Sequence, residues 1–485
     1  MTDDIDEPRG VISAVLRVNR DAQDVSVAPP ELPRRRLGPR PGFLIALVVT
    51  MIAVPIYINV SPLDVDVGLR DVSEDMRAVR RFVGPYLGYH RTPAVELKAK
   101  TFGFGGQPPM PFDEARDWKK KADKGDAYAE FRMGVILENS LGGFARNVPE
   151  AIHYYRLAVA QGNVKAEYNL GVIYADGLHG LPKQEDEAAR LFKLGAEQAD
   201  PAAQHRLAVF YFYGRGGLPK DEAESVRLSK LSAAQGNPWG ETWLAWMYLN
   251  GRGGLTKNEV EAVRLYKLAA ERGFSGAQSQ LAGLYFEGLG GLPKDEREAA
   301  WLYKLAAGQD DPGGQAGLAW MYLHGRGGML RDEAMAAHFY RMAALGGNAD
   351  AENALAWMYA NGRGGVARDE SEAARLYRLA ADQGNANAMD ALGVMIQESR
   401  GGLIRDDAAA LELYRGAVAA GLPKAKYDLG LMFDYGAGGL PQDHEHALQL
   451  FRDAAAKGYE PARDALRRLG AEVPALGAIE PPSGQ

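Results

Sequence analysis

Apolar and polar positions follow one another with the spacing of a helix along most of the chain, and the same helical phrase keeps returning. LAWMYLNGRGGL spans Leu244 to Leu255, LAWMYLHGRGGM begins at Leu318 and LAWMYANGRGGV begins at Leu355. Each sets large apolar residues three and four apart and then breaks into glycine. The turn glycines Gly143, Gly180, Gly217, Gly254, Gly291, Gly328, Gly365, Gly402 and Gly439 lie 37 residues apart, so nine units run on without insertion. A fixed period in this range signals a solenoid.

Each unit predicts two helices. In the unit that begins at Pro238, PWGETWLAWMYLN forms the first, and Gly251 closes it because glycine enters the left-handed conformation at low cost. Arg252-Gly253-Gly254 makes the turn. Asn258 with Glu261 three residues on, a capping-box pattern, opens the second helix, which stops at Gly273. Asp221/Glu224, Asp295/Glu298, Asp369/Glu372 and Asn147/Glu150 repeat that signal. Ala245, Ala319, Ala356, Gly171 and Gly393 share one column of the first helix, and Ala269, Ala306, Ala343 and Ala380 one column of the second. Small residues let helices approach, while Leu244, Tyr248 and Leu265 fill the space beside them. One hairpin cannot bury its apolar face alone, but a stack can. DEARDWKKKADKG (113–125) opens the array as a half unit, with Trp118 in register with Tyr266 and Tyr377, and ARDALRRLG (462–470) closes it as a polar cap. The expected fold is all-α, an α/α superhelical solenoid over 113–470.

The pattern differs before and after the repeats. Residues 1–41, rich in Pro, Arg, Asp and Val, and the tail 471–485 show no sustained period and read as disordered. GFLIALVVTMIAVPIYINV (42–60) has 19 residues, no charge and one proline, against the ~20 apolar residues a span needs. It reads as a transmembrane signal anchor. A core helix would carry polar residues on one side, and a cleaved signal peptide has a much shorter leading region. Arg34, Arg35, Arg36 and Arg40 precede the run and Asp64, Asp66 and Asp71 follow it. Positive residues favour the cytoplasmic side, so the N-terminus is expected inside and the repeats outside, although Arg70, Arg77, Arg80 and Arg81 weaken the bias. Within the juxtamembrane helix and linker (61–112), Val65, Leu69, Val72, Met76, Val79 and Val83 step by 4, 3, 4, 3 and 4. Two readings stand: a short coiled coil that makes a homodimer through 65–83, and an amphipathic helix lying on the repeats or the bilayer.

Composition removes several functions. A net charge of −7 lacks the basic surplus of a nucleic-acid binder. The absence of cysteine excludes disulfides, thiolate metal sites and a cysteine nucleophile. P-loop, G-x-S-x-G, H-E-x-x-H and S-x-x-K patterns are missing, so neither enzyme activity nor a cofactor is expected. Asp443, His444, Glu445 and His446 read as a capping turn rather than a metal site. Arg215, Arg252, Arg326, Arg363 and Arg400 each precede two glycines, but at the repeat period, which marks structured turns rather than a disordered RNA-binding segment.

The pattern A-x3-L-G-x2-Y-x2-G, here Ala166, Leu170, Gly171, Tyr174 and Gly177, is followed by a turn, a capped helix and a run such as Ala374–Gly384. This resembles the Sel1-like repeat, a relative of the tetratricopeptide repeat, over about 113–470. The resemblance implies a noncatalytic scaffold or adaptor for other proteins. It also implies a bacterial envelope setting: an inner-membrane protein with periplasmic repeats, serving signalling, assembly or exopolysaccharide. The partner implied is a membrane sensor, an envelope assembly factor or a secretion component. The cysteine pairs of the secreted branch are missing here, so nothing is carried over from that branch.

If the shared columns set the geometry, a ligand meets positions that vary. Trp239, Trp243, Trp246 and Asn250 are spaced i, i+4, i+7, i+11 and share one helix face. Their equivalents elsewhere include Lys165, Asn169, Val172 and Asp176. Variation from lysine to tryptophan in the first two columns argues for solvent exposure. Trp320, His324, Trp357 and Asn361 continue the stripe. Its functional reading is an aromatic wall on the concave side that grips a protein partner or stacks on a glycan. The alternative is that the tryptophans fill wide gaps between units, with Trp246, Trp320 and Trp357 partly core.

Overall fold

The computed structural model describes residues 110–477, and among them the chain forms 20 α-helices and no strand. The first helices of the nine units are Ala127–Asn139, Val164–Asp176, Pro201–Tyr213, Pro238–Asn250, Ser275–Glu287, Pro312–His324, Ala349–Asn361, Ala386–Gln397 and Pro423–Tyr435. The second helices are Val148–Ala160, Glu185–Glu197, Glu222–Ala234, Glu259–Glu271, Glu296–Ala307, Glu333–Leu345, Glu370–Asp382, Asp407–Ala419 and His444–Ala456. Phe112–Ala122 and Glu460–Arg468 are the half unit and the cap. Each helix packs on its neighbours in sequence, and in mid-array the first helices of successive units also touch one another, which puts them on the inside of the curve.

The predicted columns are the core. Ala245, Ala319, Ala356, Ala269, Ala306, Ala343 and Ala380 are all fully buried. Beside them, one ring per second helix (Tyr155, Phe192, Tyr266, Tyr303, Tyr340, Tyr377, Tyr414, Phe451) is buried as well. Unit three alone replaces that ring, with Ser229.

The expected capping box is half formed. Asn258 Oδ1 accepts from the Glu261 amide at 3.0 Å. Glu261 does not reach back to the capping N–H; it takes Arg264 Nε at 2.9 Å instead. The reason is geometric. The Asn258 amide already donates to the Tyr248 carbonyl at 2.9 Å, so the hairpin satisfies the group that the box exists to satisfy. The same bond recurs from Asp221 to Tyr211 (2.7 Å) and from Asp369 to Tyr359 (2.9 Å).

The turn arginines have a structural task. Arg252 Nε donates to Glu222 at 3.0 Å, reaching the first residue of the preceding second helix. Arg215–Glu185, Arg326–Glu296, Arg363–Glu333 and Arg400–Glu370 repeat the bracket. The guanidinium holds the Glu222 carboxyl below its ordinary value. A Cβ on Gly253 would lie 2.4 Å from the Glu222 carbonyl oxygen, so only glycine lets the turn seat this closely. A second set of bonds closes six of the hairpins: Arg272 Nη1 meets buried Glu241 at 2.6 Å, and Gln161 Nε2 meets Glu130 at 2.7 Å.

Two readings lie outside the described residues, the apolar run 42–60 and the seam 65–83, as does the segment 1–41. Within 110–477 no helix is long and apolar enough to cross a membrane. Residues 471–477 of the tail are described and lie against the repeats. Ala471 and Val473 pack on the last helices, Arg463 Nη1 donates to the Pro474 carbonyl at 3.1 Å, and the Gly477 amide reaches the Ala456 carbonyl at 2.8 Å.

Candidate interaction groove

The inner wall is built from the second, fifth, sixth and ninth residues of each first helix, which fall on one face. In the first three units these positions enclose a groove of about 360 Å³. Tyr128, Lys165 and Ala202 supply the second position, Phe131 and Tyr168 the fifth, Arg132 and Asn169 the sixth. The floor is held from behind by the buried ring column: Phe131 lies 6.2 Å from Tyr155, and Tyr168 lies 6.2 Å from Phe192. Arg132 stacks over Trp118 at 5.3 Å. The second and sixth columns are ones that the tryptophan stripe was expected to occupy, but the fifth is not, and the groove ends one unit before the densest part of the stripe.

Trp243 corrects the expectation of exposure. It is 1% exposed, sealed among Val209, Phe212, Val226 and Met247. The cause is Ser229. In the fifth unit the ring at that site lies against the sixth residue of the next first helix: a Cβ on Gly317 would come within 2.3 Å of Tyr303. Unit three lacks the ring, and the sixth residue of unit four supplies one. At Trp243 the change to tryptophan is therefore compensation within the core, whereas Arg132 and Asn169 of the same column face the groove.

The other members of the stripe divide. Trp239 is 41% exposed, yet its indole stacks on His205 at 6.0 Å and meets Phe274 edge-on at 4.4 Å. Trp246 is half-buried, stacked on Trp243 at 5.1 Å, and Trp320 is half-buried, edge-on to Phe286 at 5.0 Å. Trp357 is exposed, with the Arg363 guanidinium 5.9 Å from its ring. Asn250, His324 and Asn361 are exposed but engaged with their own helices. Asn250 Nδ2 donates to the Trp246 carbonyl and Asn361 Nδ2 to the Trp357 carbonyl, both at 2.8 Å, and His324 Nδ1 lies 2.9 Å from the Trp320 carbonyl. The structure gathers Trp239, Trp243 and Trp246 into one aromatic cluster with His205 and Phe212. Trp320 and Trp357 stand apart from it.

Two buried polar groups also face this side. His205 is enclosed, neither ring nitrogen has a hydrogen-bond partner, and burial, helped by the Arg206 charge, pushes its pKa down to about 3. Asp390, at the same position five units further on, is buried against Lys424, which also binds Asp428 at 2.9 Å. Burial pushes the Asp390 carboxyl up and Lys424 opposes it. His444 pairs with Asp434 at 2.5 Å while His446 stacks on Phe433 at 4.1 Å, so the two imidazoles part.

Sequence reading missed Tyr128, Phe131 and Tyr168 as site residues. The signal was present: the fifth position runs Phe131, Tyr168, His205, Thr242, Ser279, Ala316, aromatic only in the first two of these units.

The model of the family described as Sel1 repeat matches nine consecutive stretches, 127–163, 164–200, 201–237, 240–274, 275–311, 312–348, 349–385, 386–422 and 423–459. Among solved structures, a protective antigen of uropathogenic Escherichia coli strains with an SLR fold is 27% identical, with a TM-score of 0.41 and coverage of 74% of this chain and 84% of that one. A Sel1 repeat protein from Oxalobacter formigenes is 25% identical, with a TM-score of 0.42 and coverage of 52% of this chain and 96% of that one. The search of curated proteins returns no match.

Proposed function

Since the chain belongs to the Sel1 repeat family, a fold that generally serves protein–protein interaction, we propose that it is a noncatalytic scaffold that seats a protein partner against its first helices. The observation that carries this reading is the groove of about 360 Å³. Its floor is aromatic and backed by the buried ring column, the kind of surface on which interface anchors concentrate. Preorganised aromatic anchors lose little side-chain entropy on binding, so each contact contributes more to affinity.

The apolar run 42–60 supports a membrane tether, and the arginines before it support repeats on the outer face of an inner membrane. A tethered scaffold would gather envelope components at the bilayer. Pull-down from solubilised membranes with the full chain, wild type against Tyr128→Ala/Tyr168→Ala, tests the groove. Specific loss of one protein band is the expected result. Unchanged bands together with lost sedimentation on cell-wall sacculi would favour a glycan ligand instead. An intact but inactive alkaline phosphatase fusion after Gln485 would overturn the topology.

A further inference from the structure

We infer that the groove takes an acidic segment of a protein partner, one in which a bulky apolar or aromatic side chain stands close to a carboxylate. The inference rests on the scaffold reading above and names the chemistry of its partner.

Charge is the reason. Two cationic side chains line the groove, Arg132 and Lys165. Lys165 is exposed, and no carboxylate pairs with it among the described residues. Arg132 Nε is buried with no hydrogen-bond partner, and the nearest carboxylate oxygen to its guanidinium, on Glu114, stands 3.8 Å from Nη2. The carboxylates around the groove are otherwise committed. Asp200 caps its helix, accepting from the Ala203 amide at 2.8 Å. Glu130 and Glu167 are buried in the hairpins, taken by Gln161 at 2.7 Å and Gln198 at 3.0 Å. Lys165 is the cation left open to a carboxylate on the ligand, and the Arg132 guanidinium, only loosely paired with Glu114, adds positive field beside it.

Shape supplies the other half. Tyr128, Phe131 and Tyr168 form one apolar bed beside those cations, with Tyr128 and Phe131 5.9 Å apart. Two units beyond Tyr168 the bed has ended. There Trp239 replaces Ala202 in the second position and covers His205. The site is thus a bounded slot for an anchor residue rather than a continuous track, and its neighbour must be acidic.

A display library of random peptides panned against the full chain in detergent micelles tests this. Enriched peptides are expected to place Asp or Glu within a few residues of Trp, Phe, Leu or Met. Lys165→Glu should weaken a selected peptide by roughly tenfold, with the thermal transition unchanged, and a Glu→Lys change in the peptide should restore binding to that variant. Enriched peptides without acidic bias, or whose affinity ignores Lys165→Glu, would overturn the inference while leaving the scaffold intact. A library that yields no binder would sink both.

Discussion

The indole N–H of Trp243 donates to Ser225 Oγ at 3.3 Å, across the seam between the third and fourth units. One turn along from Ser225 stands Ser229, the lone departure from the buried ring column. The two units exchange a ring: what the second helix lacks, the next first helix provides.

Two variants test that exchange. Trp243→Gly should cost at least about 3–5 kcal/mol, the usual range for emptying a buried tryptophan site. Ser229→Tyr alone overpacks the same space and should cost about 1–3 kcal/mol. Together, Ser229→Tyr with Trp243→Gly rebuilds the arrangement seen at Tyr303 and Gly317, so the double variant should be more stable than the sum of its parts. Guanidinium unfolding followed by circular dichroism reads the coupling, and strict additivity would refute a shared site.

The turn brackets should be transferable. The unit at 275–311 carries Leu289 where five other turns carry arginine, and Glu259 is left with Lys257 at 2.8 Å and the Gly290 amide at 3.3 Å. Leu289→Arg is expected to add a bracket to Glu259. Because such pairs are partly exposed, the gain is about 0.5 kcal/mol and should fade in high salt. A melting temperature that does not rise at low ionic strength would count against the role assigned to Arg252 and its equivalents.

How much of this was legible beforehand differs by column. The turn glycines, Asn258 and the alanine columns had one possible task each, set by backbone conformation or close approach, and the structure assigns them that task. The face carrying Trp239, Trp243, Trp246 and Asn250 was placed on the inner wall by its spacing alone. Which members face solvent depends on a partner 14 residues earlier, Ser229 opposite Trp243, and a variable column looks the same whether it varies for a ligand or for packing. The Glu261 arm failed for a related reason. Local spacing predicted its bond to the cap, but the Tyr248 carbonyl in the other helix had already taken the capping amide.

His205 should set an acid limb of stability. Its folded pKa of about 3 lies below the ordinary value of 6.5, so the unfolded chain binds the extra proton as pH falls between the two. Stability from this group is therefore present above 6.5 and lost progressively on acidification. His205→Phe, which copies Phe131 at the equivalent position, removes the titration. At pH 5 the variant should be more stable than wild type by about 1–2 kcal/mol, one pH unit of unmatched titration being about 1.4 kcal/mol. Unfolding midpoints of both proteins that fall in parallel from pH 7 to pH 5 would show that the buried imidazole is not the cause.

The opposite slope belongs to Lys424. It is the cation that Asp390 and Asp428 share where the last two units meet, and Asp390 is buried while its Oδ1 has no partner. Lys424→Met strips the counter-ion from a buried carboxylate. Removing one member of a buried pair costs about 3–5 kcal/mol, and because Lys424 is itself 39% exposed we expect closer to 2 kcal/mol at pH 8. Asp390, already pushed up by burial, then rises further and takes a proton. A carboxyl whose folded pKa is raised contributes stability below its unfolded pKa and loses it as pH climbs through the folded one. The variant should therefore recover towards wild type as pH is lowered from 8 to 5, and adding Asp390→Asn should flatten that recovery. A deficit that stays constant across this range in Lys424→Met would mean that lost packing of the lysine stem, and not the orphaned charge, carries the cost.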